Sequence, residues 1–210
     1  MIIAIDGPAA SGKGTLARHL ADHFDLALLD TGLIYRAVGM NLVRAGVDLD
    51  DADAAVEAAK NLKPENLAAQ DLRSDLAADA ASRISAVPDV RTTLIDFQRS
   101  FAANPPGQNC GAVLDGRDIG TVVCPEAKVK LFITARAEVR AERRYLELQE
   151  RGLDAIYALV LADMKERDAR DSSRTISPLV PANGAFLLDT SDLAAGEVFL
   201  KALRFINGKQ

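Results

Sequence analysis

Short apolar runs alternate along the chain with longer segments of helical periodicity. Short runs bounded by polar or turn residues are typical of buried strands, whereas apolar residues three and four positions apart indicate a helix face. The runs predict strands at 2–5, 26–30, 111–118, 128–134 and 185–189. The helical pattern predicts helices at about 13–24, 31–46, 48–60, 72–84, 89–103, 138–151, 154–171 and 193–206.

Strands that alternate with helices predict an α/β fold in which helices wrap a parallel sheet. The helix expected at 72–84 carries Leu72, Leu76, Ala80 and Ile84 on one face. Ligands bind folds of this class at the carboxyl ends of the strands. The polar residues that follow each predicted strand are therefore the first candidates for a site.

Composition narrows the class of protein. The 210 residues are 49% hydrophobic, with a net charge of −5 and a pI near 5.1. This length suits one domain with one good core, and the acidic balance argues against nucleic-acid binding, which relies on clustered Lys and Arg. The beginning of the sequence has no signal-peptide pattern, and no apolar run approaches the ~20 residues of a membrane helix. We expect a cytoplasmic protein with no nucleic-acid or membrane partner.

The cysteines and histidines add little chemistry. Cys110 and Cys124 lack the spacing of a metal site or a redox pair, so we expect both thiols to be unpaired. His19 and His23 lie four apart on the first predicted helix, a spacing that can bind metal. Because no third ligand is in view, a solvated helix face is the better interpretation.

The segment between the first strand and the first helix carries the most specific motif. Gly7 and Gly12 bracket four residues ahead of Lys13, so backbone N–H groups can surround a phosphate while the lysine amine reaches its outer oxygens. A helix beginning near Lys13 directs its positive end at the same anion. The alternative is a glycine-rich connecting turn, but the flanking strand and amphipathic helix favour a phosphate loop. The loop comprises Gly7, Pro8, Ala9, Ala10, Ser11, Gly12, Lys13, Gly14 and Thr15.

The loop departs from the general pattern at one position. Ser or Thr usually follows the lysine directly, whereas here Gly14 intervenes and the hydroxyl is on Thr15. This form resembles nucleoside monophosphate kinases more than GTPases. It leaves open whether Thr15 contacts Mg²⁺ directly or only phosphate.

Polar clusters also follow the second and third predicted strands. Thr31, Tyr35 and Arg36 surround the start of one helix, although Thr31 read alone is an N-cap and Arg36 a solvated side chain. At the carboxyl end of the third strand, Asp115, Arg117 and Asp118 lie where a parallel sheet presents its ligand-facing end. The alternative for this second cluster is a tight turn satisfied by its own side chains.

An arginine-rich segment lies near the end of the long charged helix. Arg167, Arg170 or Asp171, and Arg174 fall three, four and seven positions apart, so two or three guanidinium groups can share one face. Without a phosphate loop this would be a solvated charge run. With the loop, the segment is suited to neutralise the charge of a phosphoryl group in transfer. The following residues, 177–184, are suited to act as a hinge.

The motifs together resemble the bacterial cytidylate kinases over most of the chain. The matching segments are GPAASGKGT at 7–15, LLDTGLIYR at 28–36, DGRDIGTVV at 115–123, KERDARD at 165–171 and PLVPA at 178–182. The resemblance implies a single P-loop NTPase-type domain with three layers, α/β/α, and a five-stranded parallel sheet. Its core would span about 1–35, 88–165 and 185–210, with a helical monophosphate-binding insertion at about 36–87 and an arginine-rich lid at about 166–184.

The resemblance also implies a reaction, the transfer of the γ-phosphoryl group of ATP, carried with Mg²⁺, to CMP or dCMP. We expect a monomer with these small molecules as its partners. The implied ATP site is the loop 7–15. The implied roles in the CMP site are monophosphate contacts by Thr31, Tyr35 and Arg36, cytosine contacts by Ser82, Arg91 and Asp118, an acceptor-phosphate contact by Arg117 beside Gly116, lid contacts by Arg167 and Arg174, and a sugar contact by Asp171. Lys13, Arg117, Arg167 and Arg174 are the implied catalytic residues.

These implied roles are chemically consistent. Cytosine presents an amine donor beside carbonyl and ring-nitrogen acceptors, so a carboxylate at Asp118 with donors from Arg91 and Ser82 would complement it. The chain departs from the family at 60–73, which is too short for the extra small sheet that many members carry. The rival hypotheses are a kinase of the same fold acting on UMP, AMP or an alcohol, and a nucleotide-dependent switch without an acceptor.

Overall fold

The structure is a computed structural model that describes residues 1–107 and 109–208. The strands are β1 (Ile2–Asp6), β2 (Ala27–Asp30), β3 (Ala112–Gly116), β4 (Val129–Thr134) and β5 (Phe186–Asp189). The α-helices are α1 (Lys13–Phe24), α2 (Thr31–Ala45), α3 (Ala52–Lys60), α4 (Asp75–Ile84), α5 (Pro88–Ala103), α6 (Ala137–Glu150), α7 (Tyr157–Ser173) and α8 (Ala195–Asn207). The prolines and glycine of residues 104–109 predict a loop between α5 and β3, and this stretch includes Gln108, which lies outside the described residues.

The strands form one parallel sheet in the order β2-β3-β1-β4-β5. The central strand is β1, which pairs with β3 on one side and with β4 on the other. All carboxyl ends therefore meet at one edge, beside the loop that leaves β1. The prediction of a five-stranded parallel sheet is confirmed.

Apolar side chains alternate between the two faces of the sheet and build a separate core on each. Ile3 and Ile5 pack with α1 and α8 on one face, whereas Ala4 packs with residues of α2, α3, α4 and α5 on the other. The same alternation separates Val113 from Leu114 on β3. Both faces are covered because a parallel sheet is hydrophobic on both sides. The result is the expected three-layer α/β/α arrangement.

The second and fourth helices approach each other unusually closely. A Cβ atom at Gly39 of α2 would lie 2.7 Å from the Cβ atom of Ala80 of α4, so the contact admits only these small residues. This packing corrects the prediction for 72–84. Leu72 is buried but belongs to a separate 3₁₀ helix, Gln70–Arg73, and Leu76 is 54% exposed. The buried face of α4 consists of Ala77, Ala78, Ala80, Ala81, Ser82 and Ile84.

Two helix starts also differ from the prediction. The helix expected from residue 48 begins at Ala52, because the Asp51 carboxylate accepts a hydrogen bond from the N–H of Ala54 and caps it there. The N-cap of α2 is Asp30, whose Oδ1 accepts from the N–H of Gly32, so the reading of Thr31 as the N-cap was wrong. The stretch 60–73 is occupied by two 3₁₀ helices, Pro64–Ala68 and Gln70–Arg73.

In residues 1–107 and 109–208, no helix is long and apolar enough to cross a membrane. Cys110 and Cys124 are free thiols, as expected. His19 and His23 both pack edge-on against Phe199 of α8. Within the part of the chain that the structure describes, no three His, Cys, Asp or Glu residues are grouped closely enough to hold a metal ion.

Candidate active site

The loop between β1 and α1 has the backbone shape of an anion cradle. Gly7 has a φ of 152°, and a Cβ atom there would lie 2.0 Å from the carbonyl oxygen of Ile133, so no side chain fits. Gly12 has a φ of 89° and precedes Lys13, the first residue of α1. Because Gly12 offers no capping side chain, the first-turn N–H groups of α1 have no side-chain cap. These groups and the helix dipole favour an anion.

The ammonium group of Lys13 lies at the base of this loop, 3.5 Å from Oδ1 of Asp115 near the end of β3. Burial lowers the pKa of Lys13, and Arg117 lowers it further, whereas Asp115 opposes the shift. Burial likewise raises the pKa of Asp115, and Lys13 opposes that shift. Lys13 at the start of α1 and Asp115 in β3 are therefore each other's counterions.

Three arginines add positive charge around Lys13. Burial lowers the pKa of Arg36 on α2, and Arg117 contributes to the lowering. Burial also lowers the pKa of Arg167 on α7 to about 10, again with repulsion from Arg117. Arg117 itself, after β3, has a raised pKa because Asp171 and Asp115 outweigh its burial. Partly buried cations that repel one another form a site that an anionic ligand would stabilise.

A cavity of about 580 Å³ opens beside the phosphate loop. Its wall includes Ala9 and Ala10 of the loop, Asp30 at the end of β2, and the guanidinium-bearing residues Arg36 and Arg167. This volume lies in the range of small-molecule sites. The cavity therefore joins the predicted ATP loop to the predicted monophosphate contacts.

Two of the three residues expected to read cytosine form a buried ion pair, and none of the three lines this cavity. The guanidinium of Arg91 on α5 is ion-paired with the carboxylate of Asp118, which follows β3, and both side chains are buried. Arg91 also lies 5.4 Å from the ring centroid of Tyr35. The Ser82 hydroxyl is buried and has no hydrogen-bond partner among the described residues. Arg91 and Asp118 are 27 positions apart in sequence, and the fold brings them together.

The segment 166–184, predicted to be a lid, contacts Arg117 through Asp171 near the end of α7. One carboxylate oxygen of Asp171 accepts from Nε of Arg117 at 3.0 Å, and the other accepts from Arg174. Burial alone would raise the pKa of Asp171, but the two arginines hold it below its usual range. Arg170 leaves the cluster and pairs with Asp79 of α4 at 2.9 Å. The shared arginine face thus consists of Arg167 and Arg174 with Asp171, without Arg170.

Thr31 lies at the site in a different way from the one expected. Its hydroxyl donates to the carbonyl oxygen of Asp115 at 2.8 Å and ties α2 to β3. A Cβ atom at Gly116 would lie 2.7 Å from that hydroxyl, so residue 116 must be glycine. Arg36 is half-buried and donates to the carbonyl oxygen of Leu72 at 2.9 Å, so the reading of Arg36 as a solvated side chain was wrong. The hydroxyl of Thr15 accepts from Arg18 at 3.3 Å.

Several supporting residues escaped sequence reasoning. The carboxylate of Asp6 accepts from the N–H groups of Ile119 and Gly120 at 2.7 and 2.8 Å, and so fixes the π-helical turn Ile119–Val123 that follows Asp118. Burial raises the pKa of Asp6 to about 7. Thr190 donates to the carbonyl oxygen of Ser11 at 2.8 Å. Asp6 could have been noticed in the sequence because it is a polar residue at the end of a buried strand. Nothing in the sequence around Thr190 indicates its contact with Ser11.

A family model described as cytidylate kinase matches residues 3–208. The chain belongs to the cytidylate kinase family. Two curated cytidylate kinases are similar to it over 209 residues, one from Paramagnetospirillum magneticum at 64% identity and one from Rhodospirillum rubrum at 55%. Each alignment covers 100% of this chain, and covers 99% and 98% of the respective relatives. The kinase activity predicted from the motifs, phosphoryl transfer to CMP or dCMP, is confirmed by this membership.

More distant solved structures show the fold alone. A protein of uncharacterized function from Eubacterium ventriosum is 14% identical, with a TM-score of 0.56, over 99% of this chain and 98% of its own. An unliganded sugar kinase from Janibacter is also 14% identical, with a TM-score of 0.50, over 98% of this chain and 94% of its own. The three-layer parallel architecture is therefore shared with proteins of quite different sequence.

Proposed function

We propose that this cytidylate kinase holds Mg·ATP on the loop 7–15 and the acceptor CMP or dCMP between Arg117 and the Arg91–Asp118 pair, giving CDP or dCDP and ADP. The observation that carries this proposal is the cluster of the partly buried cations Lys13, Arg117 and Arg167, together with the buried Arg91–Asp118 pair. One end of the site suits phosphates, and the other suits a base.

The donor half of the site rests on the phosphate loop. The amides that follow Gly12 and the ammonium of Lys13 would hold the triphosphate. A second cavity of about 330 Å³ lies on the far side of the loop, lined by Gly12, Thr15, Arg143 and Thr190 among others, and would accept the remainder of ATP.

The residues beside the loop fit a magnesium ion carried with ATP. Mg²⁺ prefers oxygen ligands and commonly takes one or two from the protein and the rest from phosphates and water. The Thr15 hydroxyl and the Asp115 carboxylate, which lies beside Lys13, are oxygen donors of that kind. When bound, the ion would neutralise charge on the β- and γ-phosphates.

The acceptor half combines base recognition with phosphate binding. The Asp118 carboxylate is suited to accept from the exocyclic amine of cytosine, and Arg91 and Ser82 supply donors for its acceptor atoms. Arg36 and Arg117 would hold the monophosphate, while Asp171 would contact the sugar. A base with the wrong donor pattern would leave buried groups unpaired, which is the strongest source of rejection.

Catalysis then rests on positioning and charge neutralisation. The acceptor is already an anionic phosphate, so no general base is needed. We propose that the lid at 166–184 closes toward the insertion at 36–87, so that Arg167 and Arg174 neutralise charge on the transferred group and exclude water. We further propose that the enzyme acts as a monomer.

The direct test is the rate of ADP release from Mg·ATP with purified protein and each of CMP, dCMP, UMP, AMP and GMP. We expect rapid release with CMP and dCMP and at least about tenfold lower kcat/KM with the other three. Equal rates with all five would contradict the cytosine site. ATP binding with no turnover on any monophosphate would contradict the acceptor assignment while leaving the phosphate loop in place.

A further inference from the structure

Ser85 lies at the junction between the insertion and the lid. It is the first residue after α4 and is only 6% exposed. No recognisable motif includes it, and its neighbours in sequence are apolar or small. Its position is nevertheless in contact with three of the residues assigned to the acceptor site.

Every polar atom of Ser85 has a defined partner. The hydroxyl accepts a hydrogen bond from Nη2 of Arg174 at 2.7 Å and donates to the carbonyl oxygen of Ser82 at 3.1 Å. The Ser85 carbonyl oxygen accepts from Nη1 of Arg91 at 3.0 Å. The Ser85 N–H donates to the carbonyl oxygen of Ala81. One residue thus links the base-facing arginine to the lid arginine.

The links to Arg174 and to the Ser82 carbonyl oxygen depend on the side chain, and of these only the link to Arg174 crosses from the insertion to the lid. The contacts to Arg91 and Ala81 use backbone atoms and survive any substitution that keeps the helix end in place. Burial lowers the pKa of Arg174, although Asp171 opposes the shift. A buried guanidinium needs a partner for each of its N–H groups, and the Ser85 hydroxyl is the partner that the insertion supplies.

We propose that Ser85 is a positioning residue for CMP binding, whose hydroxyl holds the guanidinium of Arg174 against the end of α4. This inference rests on the proposed role of Arg174 in the acceptor site. The hydroxyl fixes the lid arginine relative to Ser82 and Arg91, so the part of the site contributed by the insertion and the part contributed by the lid are held in register.

The test is a double-mutant cycle on CMP affinity, measured by titration calorimetry so that slow turnover does not interfere. We expect Ser85→Ala to raise the Kd for CMP about tenfold, the effect of losing one hydrogen bond to a charged group. In an Arg174→Ala background the same change is expected to alter the Kd less than about twofold, because contacting residues that act together are not additive. The Kd for ATP alone is expected to be unchanged in Ser85→Ala.

Two further comparisons separate the hydroxyl from the fold. Ser85→Thr keeps the hydroxyl and Ser85→Val replaces it with a methyl group of the same shape, so we expect tighter CMP binding by Thr than by Val. Ser74→Ala removes the hydroxyl that caps the opposite end of the same helix. It is expected to lower the unfolding temperature and leave the Kd for CMP unchanged.

The outcomes distinguish this proposal from the proposed function. An equal effect of Ser85→Ala with and without Arg174, or equal affinity of the Thr and Val variants, would overturn the positioning role and leave Arg174 in the site. Wild-type CMP affinity in Arg174→Ala would instead overturn the assignment of Arg174 itself, and with it the role of Ser85.

Discussion

The ammonium group of Lys13 and the carboxylate of Asp115 lie 3.5 Å apart. Lys13 is the first residue of α1, after the loop that leaves β1, and Asp115 lies near the carboxyl end of the neighbouring strand β3. The pair holds a cation next to the position that the outer phosphate of a bound nucleotide would occupy. Burial favours the neutral form of each group, so it lowers the pKa of Lys13 and raises the pKa of Asp115, and each group opposes the shift in the other. A phosphate arriving at the loop would supply Lys13 with a second anionic partner.

The first prediction concerns Lys13. Lys13→Ala removes the side-chain cation nearest the loop amides, so we expect kcat to fall about 10²- to 10³-fold, the usual effect of losing one group that stabilises transition-state charge. Far-UV circular dichroism is expected to be unchanged. Lys201→Ala, at an exposed position of α8, is the matched control and is expected to keep wild-type turnover. Near-normal turnover of Lys13→Ala would contradict the role of the loop.

The second prediction concerns Arg174 at the end of α7. Because this guanidinium reaches the site from the lid, we expect Arg174→Ala to lower kcat with CMP at least about 10²-fold. Arg204→Ala removes an exposed arginine of α8 and is expected to leave kcat within about twofold. Equal turnover in both variants would show that the lid arginine takes no part in transfer.

The third prediction is a pH dependence caused by Asp6. Burial raises its pKa from 3.8 to about 7 in the folded protein, with Asp118 and Asp115 adding to the shift and the N–H groups of Ile119 and Gly120 opposing it. Between these values the folded chain binds the proton and the unfolded chain does not. The contribution of Asp6 to the free energy of unfolding is therefore present at low pH and declines as the pH rises toward 7.

The measurement compares wild type with Asp6→Asn by urea unfolding at several pH values. We expect the stability difference, wild type minus variant, to fall by up to about 1.4 kcal/mol per pH unit between about pH 5 and 6.5. Asp22→Asn, which removes an exposed carboxylate on α1, serves as the control for the change of one Asp to Asn. A difference that stays constant across this range would contradict the raised pKa.

The fourth prediction tests the close approach of α2 to α4. Gly39→Ala would place a methyl group 2.7 Å from the Cβ atom of Ala80, so we expect a loss of about 1–3 kcal/mol of stability from overpacking. At Gly196 near the start of α8, nothing lies within 4 Å of an added Cβ atom. Gly196→Ala is expected to gain roughly 0.5 kcal/mol from better helix propensity. Thermal unfolding of the two variants gives the comparison.

Sequence patterns predict most of the fold because its strands are continuous apolar runs. The strand positions followed from such runs, and the helix predicted from residue 89 begins one residue earlier, at Pro88. The pattern failed at α4. Its leucine, Leu76, is exposed, and the buried face of the helix consists mostly of alanines. Alanine carries a weak periodic signal, and the need for small residues comes from Gly39 on another helix, which local sequence does not reveal.

The site was partly predictable for a related reason. Residues such as Lys13 and Asp118 lie in segments with recognisable motifs, so their chemistry could be read locally. Ser85 and Thr190 each have a hydrogen-bond partner far away in the sequence, 89 and 179 positions from it. Such contacts depend on how helices and loops pack, and no spacing rule identifies them.

The final prediction tests the central claim, that cytosine is read at Asp118. The measurement is the ratio of kcat/KM for CMP to that for UMP, in wild type, in Asp118→Asn and in Asp96→Asn, an exposed control on α5. An amide at position 118 offers a donor as well as an acceptor, so it no longer favours the amine of cytosine over the carbonyl of uracil. We expect the ratio to fall at least about tenfold in Asp118→Asn and to stay at the wild-type value in Asp96→Asn. An unchanged ratio in Asp118→Asn would contradict the reading of cytosine at this carboxylate.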